Sequence, residues 1–210
     1  PDPEALGAGY KTFTVNLITA ATYHTLSGVD LGGGTYSYAS GTSAMFTVNA
    51  SSAARLQVLL PGETAVPGSA TGKMGTPTNQ TAGLSFTITV NGVDNNWNRV
   101  SSPPPEATVR VQTPDLFDVE PTPQSLVNGQ TIFANKIIIV SASTATLITV
   151  SDTDAQPLTS NNSAMLRVNP NTQAKLQLLV PGETAVSGSA TGKSGSAAAQ
   201  VAGTKFQVTI

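Results

Sequence analysis

The sequence predicts an all-β chain made of tandem sandwich repeats of about 120 residues each. Three observations carry that prediction. One long segment occurs twice, short apolar–polar alternations recur along the chain, and no stretch of helical length has a 3.6-residue period.

The first copy of the repeated segment reads LQVLLPGETAVPGSATGKMG over residues 56–75, and the second reads LQLLVPGETAVSGSATGKSG over 176–195. Pro181 stands against Pro61, an offset of 120, and about two-thirds of positions 43–75 are identical to their partners at 163–195. Read outward without a gap, the same offset sets Leu6 against Leu126, Phe13 against Phe133, Val48 against Val168 and Phe86 against Phe206. This phase divides the chain into residues 1–75, the later part of one unit; 76–195, a complete unit; and 196–210, the opening strand of a third. Units cut part-way expose strand edges. The expectation is therefore a stretch of a longer repetitive polypeptide, or termini that complete each other between chains by strand addition.

Taken in order, the strands announce themselves by alternation. Thr12 to Leu17 places Phe13, Val15 and Leu17 on one face, and Leu84 to Val90 does the same with Leu84, Phe86, Ile88 and Val90. Ala107 to Val111 is a third strand, Thr146 to Val150 a more buried one, and Ala164 to Val168 and Ala174 to Val180 complete the second unit. Strands of this length, punctuated by turns rich in Gly, Pro, Asn and Asp, point to a sandwich.

Composition narrows the function. Charged residues are 10% of the chain, well under the roughly 25% of an average soluble protein, and net charge is −2 with no basic run. A nucleic-acid partner would need a basic stripe, so that class is set aside. No apolar run approaches the roughly 18 residues that span a bilayer. Pro1-Asp2-Pro3-Glu4 is not a signal n-region, so the leader of a secreted form would lie outside this sequence. There is no cysteine, which removes thiolate metal sites, thiol catalysis and disulfides.

Residues 61–79, matched by 181–199, are dense in Gly, Pro, Ser and Thr and read as a linker between units. A merely flexible linker tolerates any polar sequence, yet this is the part most alike in the two copies. The expectation is an ordered junction that fixes the angle between units, carried by Pro61, Gly62, Glu63 and Lys73 and by Pro181, Gly182, Glu183 and Lys193. The Glu–Lys pairs are read as exposed ion pairs or two capping hydrogen bonds, worth about 0–1 kcal/mol. Phe86, Trp97 and Phe206 are expected to pack in the core or at the junction.

The stretch Ala82-Gly83-x-x-Phe86-x-Ile88-Thr89-Val90-x-x-Val93-Asp94-x-x-Trp97-Asn98 resembles the opening strands of bacterial immunoglobulin-like repeats, which are themselves similar to filamin-type repeats. Gly92 stands where that pattern usually has Ala, and the resemblance covers this opening motif only. It implies the immunoglobulin-like form of the sandwich and a large bacterial cell-surface or secreted polypeptide serving as stalk, adhesin or fibre. Some such domains carry an autocatalytic Lys–Asn crosslink, but that lysine belongs in a core strand, whereas Lys73 and Lys193 sit among glycines.

Residues capable of chemistry are sparse. Residues 188–194 imitate a phosphate loop, but the glycine a Walker motif needs five positions before that of Gly192-Lys193 is Ser187, and Pro67 in the first copy. His24 is the single histidine, too little to assemble a serine-hydrolase triad. Asp115, Asp118 and Glu120 fall in a loop flanked by prolines, where solvated turn residues outnumber paired catalytic carboxylates. Calcium is the best of the site hypotheses, through Asp94-Asn95-Asn96 and Asp152-Thr153-Asp154, but these are also ordinary turn residues. At the 120 offset Asp152 and Asp154 face Gly32 and Gly34. No cofactor or metal is expected and no enzyme activity. Asn49, Asn79 and Asn161 head formal glycosylation sites.

The functional expectation is a structural repeat of a giant extracellular surface or fibre protein, its domains stacked end to end as a rod or filament. Its partners are other copies or repeats of itself, with cell-surface or matrix components as candidates, and neither nucleic acid nor membrane insertion is expected. The alternative is an adhesin-type module recognising carbohydrate or protein, which the 5% aromatic content does not favour.

Overall fold

In the nine-residue strand Ser85–Val93, Phe86, Ile88 and Val90 fall on one side and are buried. That period-two pattern obliges the strand to cover a core. The computed structural model describes residues 4–155 and 157–210, and among these every regular element is a strand. No helix among them is long and apolar enough to cross a membrane.

Ser85–Val93 is the centre of a three-stranded antiparallel sheet, with Gln130–Ile138 on one side and Arg55–Leu59 on the other. A second sheet runs in the order Gln124–Ser125, Thr108–Gln112, Thr149–Asp152, Asn161–Asn162. A third holds Ser143–Thr146, Leu166–Asn169 and Gln80–Thr81, the last pair parallel. Their inward faces form one core, in which Leu56, Val58 and Leu60 meet Phe86, Ile88, Val109, Val111, Phe133, Ile148, Val150 and Leu166. The chain is all-β, with sheets packed on a common core as in a β-sandwich.

The phase of the unit differs from the sequence expectation. Arg55–Leu59, assigned above to residues 1–75, pairs along its whole length with Ser85–Val93, from Arg55 opposite Val93 to Leu59 opposite Thr89. A boundary at 75/76 would therefore cut through one core. The structural unit spans about residues 54–170, and residues 61–79 are a connection inside it, not a link between two of them.

Two strands read from the sequence are not formed as such. Residues 174–180 contain one antiparallel bridge, Leu179 to Thr209, and Leu176 is 88% exposed where its counterpart Leu56 is 0%. Residues 12–17 form no ladder, and Phe13 is exposed where Phe133 is buried. The alternation is present in all four segments; what differs is whether partner strands lie alongside. The apolar run at 146–150 is split, with Ser143–Thr146 joining one sheet and Thr149–Asp152 another.

The gapless offset also needs correction. In Gln130–Ile138 the register slips between Phe133, opposite Ile88, and Ile137, opposite Phe86, with Asn135 at a φ of 51°. This β-bulge holds two residues more than the corresponding stretch after Phe13. Hydrogen bonding shows the consequence. Leu26 N–H donates to Ser43 Oγ as Ile148 N–H does to Ser163 Oγ, and Asp30 takes N–H groups from Gly32 and Tyr38 as Asp152 does from Asp154 and Leu158. Between the bulge and this turn the copies are related by 122 residues, so the counterpart of Asp152 is Asp30, not Gly32, and it fills the same role.

Candidate functional site

The most conserved feature between the copies is a short hairpin, built twice in the same register. Glu63–Ala65 pairs with Lys73–Gly75, Glu63 opposite Gly75; Glu183–Ala185 pairs with Lys193–Gly195, Glu183 opposite Gly195. Gly62 and Gly75 have φ of 92° and 95°, and a Cβ on Gly75 would overlap the Gly62 carbonyl. Only glycine suits both positions. Pro61 O accepts Thr78 N–H at 2.7 Å and Pro181 O accepts Ala198 N–H at 2.7 Å, closing the base of each hairpin.

Inside the first hairpin Lys73 Nζ lies 2.9 Å from Glu63 Oε1, with the Glu63 side chain only 2% exposed. Glu63 Oε2 also accepts Leu60 N–H at 2.9 Å, and Lys73 Nζ reaches Val58 O at 3.3 Å. The pair is therefore buried, contrary to the exposed pair expected from sequence, while the bond from Leu60 N–H is a capping contact of the kind the sequence offered as the alternative. Removing one partner would strand a charge out of water. The second pair, Lys193 to Glu183 at 2.7 Å, is more open, at 37% and 12%. There the Lys193 ammonium, helped by Val180 N–H, holds the Glu183 carboxyl below its usual range.

A buried chain of amides fastens the first hairpin to the sheet. Gln130 Nε2 donates to Asn91 Oδ1, Asn91 Nδ2 to Gln57 Oε1, and Gln57 Nε2 to Gly72 O, at 2.9, 3.0 and 2.8 Å. Gln177 repeats the last link, donating to Gly192 O at 2.7 Å. Trp97, at a φ of 65°, lays its ring on Gly72, where a Cβ would overlap the indole. The Arg55 guanidinium stands 4.8 Å from the ring centroid, within cation–π range. Phe86 lies in the core, whereas Phe206 is 51% exposed, because no counterparts of its core neighbours stand beside it.

Each hairpin also reaches an earlier segment of the chain. Gly68 packs against Thr19, and Gly188 packs against Ser141, whose Oγ donates to Ser187 O at 3.2 Å. Thr19 and Ser141 correspond once the bulge is counted. At the first contact Ala20 N–H donates to Asn98 Oδ1 at 2.7 Å, and Asn98 Nδ2 to Ile18 O at 2.9 Å. Asn98 is held by Asp94, whose carboxylate also takes N–H groups from Ser51 and Asn96. Burial alone would raise the Asp94 carboxyl; the bonds from Asn98, Ser51 and Asn96 outweigh it and hold it below the usual range. At the second contact Asp115 does comparable work. It accepts Val140 N–H and Ser141 N–H at 2.8 and 2.7 Å, and these bonds overcome burial to depress its carboxyl.

These contacts absorb the groups singled out for chemistry. Asp94 and Asp152 cap turns, and among the described residues no three His, Cys, Asp or Glu side chains converge as a metal site. Lys193, in the phosphate-loop imitation, is engaged by Glu183 on a β-hairpin. His24 Nε2 lies 3.0 Å from Thr19 O. Sequence reasoning missed the Gln57–Asn91–Gln130 chain, the Asp94–Asn98 cap and the Thr19 and Ser141 contacts. Gln57 carried a signal in its identity with Gln177, and Asp94 and Asn98 carried one as members of the opening-strand pattern.

Comparison with protein-family models, with curated proteins and with solved structures returned no match. The class defined by fold and site is thus an all-β chain with a twice-built hairpin, each copy packed against an earlier segment.

Proposed function

We propose that this chain is a structural repeat of a large extracellular surface or fibre protein, its immunoglobulin-like units stacked end to end into a rod. The observation that carries this reading is the repeated hairpin. In both copies it has the same register, the same Glu–Lys pair and the same glycine seated on Thr19 or Ser141 of the preceding segment. A hairpin anchored in one unit and pressed on another resists bending between them, which is what a stiff repeat requires. The low charge and the hydroxyl-rich sequence suit a neutral outer surface. A bacterial surface location rests on the resemblance of residues 82–98 alone.

The test is solution scattering from polypeptides carrying two, four and six copies of residues 51–170. Stacked units would add a constant increment per copy to the maximum dimension, on the order of 30–40 Å for strands of this length. Growth as the square root of copy number would mark beads on a flexible string and reject the rod.

A further inference from the structure

Along extended chain the backbone groups of successive residues point to opposite edges. Ile148 turns one way: its N–H donates to Ser163 Oγ at 2.9 Å and its carbonyl accepts Ser163 N–H at 2.8 Å. Leu147 therefore points the other way, towards the line of Thr108–Gln112. The register there, Val111 opposite Val150 and Gln112 opposite Thr149, would set Pro114 opposite Leu147. Proline has no N–H to give, and the chain has already left the ladder at Thr113, whose N–H goes to Glu120 Oε1 at 2.6 Å. The ladder thus stops one bonded pair short. Among the described residues, no backbone hydrogen bond reaches the N–H or the carbonyl of the half-buried Leu147.

The gap left there is a groove of about 460 Å³, lined by Gln112, Thr113, Pro114, Ala145, Leu147 and Met165. Met165 is 62% exposed. The groove lies inside the unit of residues 54–170, and the residues that follow a unit leave this place open: Met45, the counterpart of Met165, is 69% exposed with residues 54–170 next in the chain. One end of the groove is acidic. Asp118 Oδ2 accepts the Thr113 hydroxyl at 2.6 Å, beside the Glu120 carboxylate on Thr113 N–H. Among the described residues neither acid has an ion-pair partner, and the guanidinium of Arg110 is bonded to Gln112. Burial, and after it repulsion from a neighbouring acid, holds both carboxyls above their usual range. A cation arriving at that end relieves a standing cost.

We propose that an extended, basic segment of a partner protein adds to the sheet in this groove, antiparallel to residues 145–147. Its backbone takes the place that Pro114 vacates and pairs with Leu147, an apolar side chain lies on Met165, and a lysine or arginine at one end meets Asp118 and Glu120. Strand addition of this kind draws affinity from the main chain and specificity from the side chains alongside it. The partner residue opposite Leu147 must bring an N–H, so proline is excluded there, and an acidic segment is repelled. The contact is contained in one unit and does not depend on how units stack.

Amide spectra of the isotope-labelled whole chain at neutral pH test this, with a blocked hexapeptide of alternating valine and threonine and one terminal lysine as the probe. The peptide should shift the amides of Thr113, Ala145 and Leu147 saturably and slow hydrogen exchange at Leu147. With glutamate in place of its lysine, it should bind about two- to five-fold more weakly. The lysine peptide should lose the same factor on a chain carrying Asp118→Asn and Glu120→Gln, whose amides still accept from Thr113. N-methylation of all the peptide amides should abolish binding. A Leu147 amide that ignores the lysine peptide up to its solubility limit, or equal binding of the lysine and glutamate peptides, would overturn the proposal. So would the same shifts on concentrating the chain alone, which would assign the groove to a second copy.

Discussion

At the scale of residues, burial decides what each polar group contributes. Glu63 and Lys73 share a sheltered ion pair, so Glu63→Ala should destabilise the chain by about 3–5 kcal/mol in urea unfolding, and Glu183→Ala, in the more open copy, by much less. Gly72 lies under the Trp97 ring at a φ of 75°. Gly72→Ala should cost about 1–3 kcal/mol and shift the fluorescence of Trp97, the one tryptophan. The acids pull stability in opposite directions with pH. The depressed carboxyls of Asp94 and Asp115 contribute stability above the ordinary aspartate value, and that contribution is lost as pH falls through their lower folded values. Burial raises Asp118 and Glu120, so ionising them in the folded state costs stability, and the cost is relieved as pH falls. Asp94→Asn should therefore flatten the acid limb of a stability–pH curve, whereas Asp118→Asn should raise stability at neutral pH. None of this was legible in the sequence. Identical Glu–Lys pairs signal a recurring contact, but nothing in their spacing tells a buried pair from a solvated one.

At the scale of elements, the alternation of residues 84–90 and 107–111 named two central strands correctly, because both carry one buried face and turn residues close their ends. The phase of the repeat was not legible. A 120-residue period is the same wherever it is cut, and the glycine-rich stretch most suggestive of a boundary turned out to join Arg55–Leu59 to Ser85–Val93 within one sheet. Nor does sequence alone place a two-residue insertion that a later loop compensates. The structure exposes it through the slipped register after Phe133 and the matching bonds of Asp30 and Asp152. The corrected phase makes an asymmetric prediction from two leucines in identical sequence contexts. Leu56→Ala should cost about 2–5 kcal/mol in thermal or urea unfolding at low concentration. Leu176→Ala, on an exposed segment, should change stability by about 0.5 kcal/mol or less under the same conditions.

At the scale of the whole molecule, one core is flanked by segments whose apolar residues stay exposed, and the hairpins at 61–75 and 181–195 pack against earlier segments of the chain. Stability resides in the centre, and the flanking segments contribute little to it. Amide hydrogen exchange followed by mass spectrometry reads both. The account predicts strong protection of residues 55–59 and 85–93 and fast exchange of residues 11–18, 175–179 and 205–210. Weak protection of 55–59, or protection of the three flanking segments equal to that of 85–93, would contradict it.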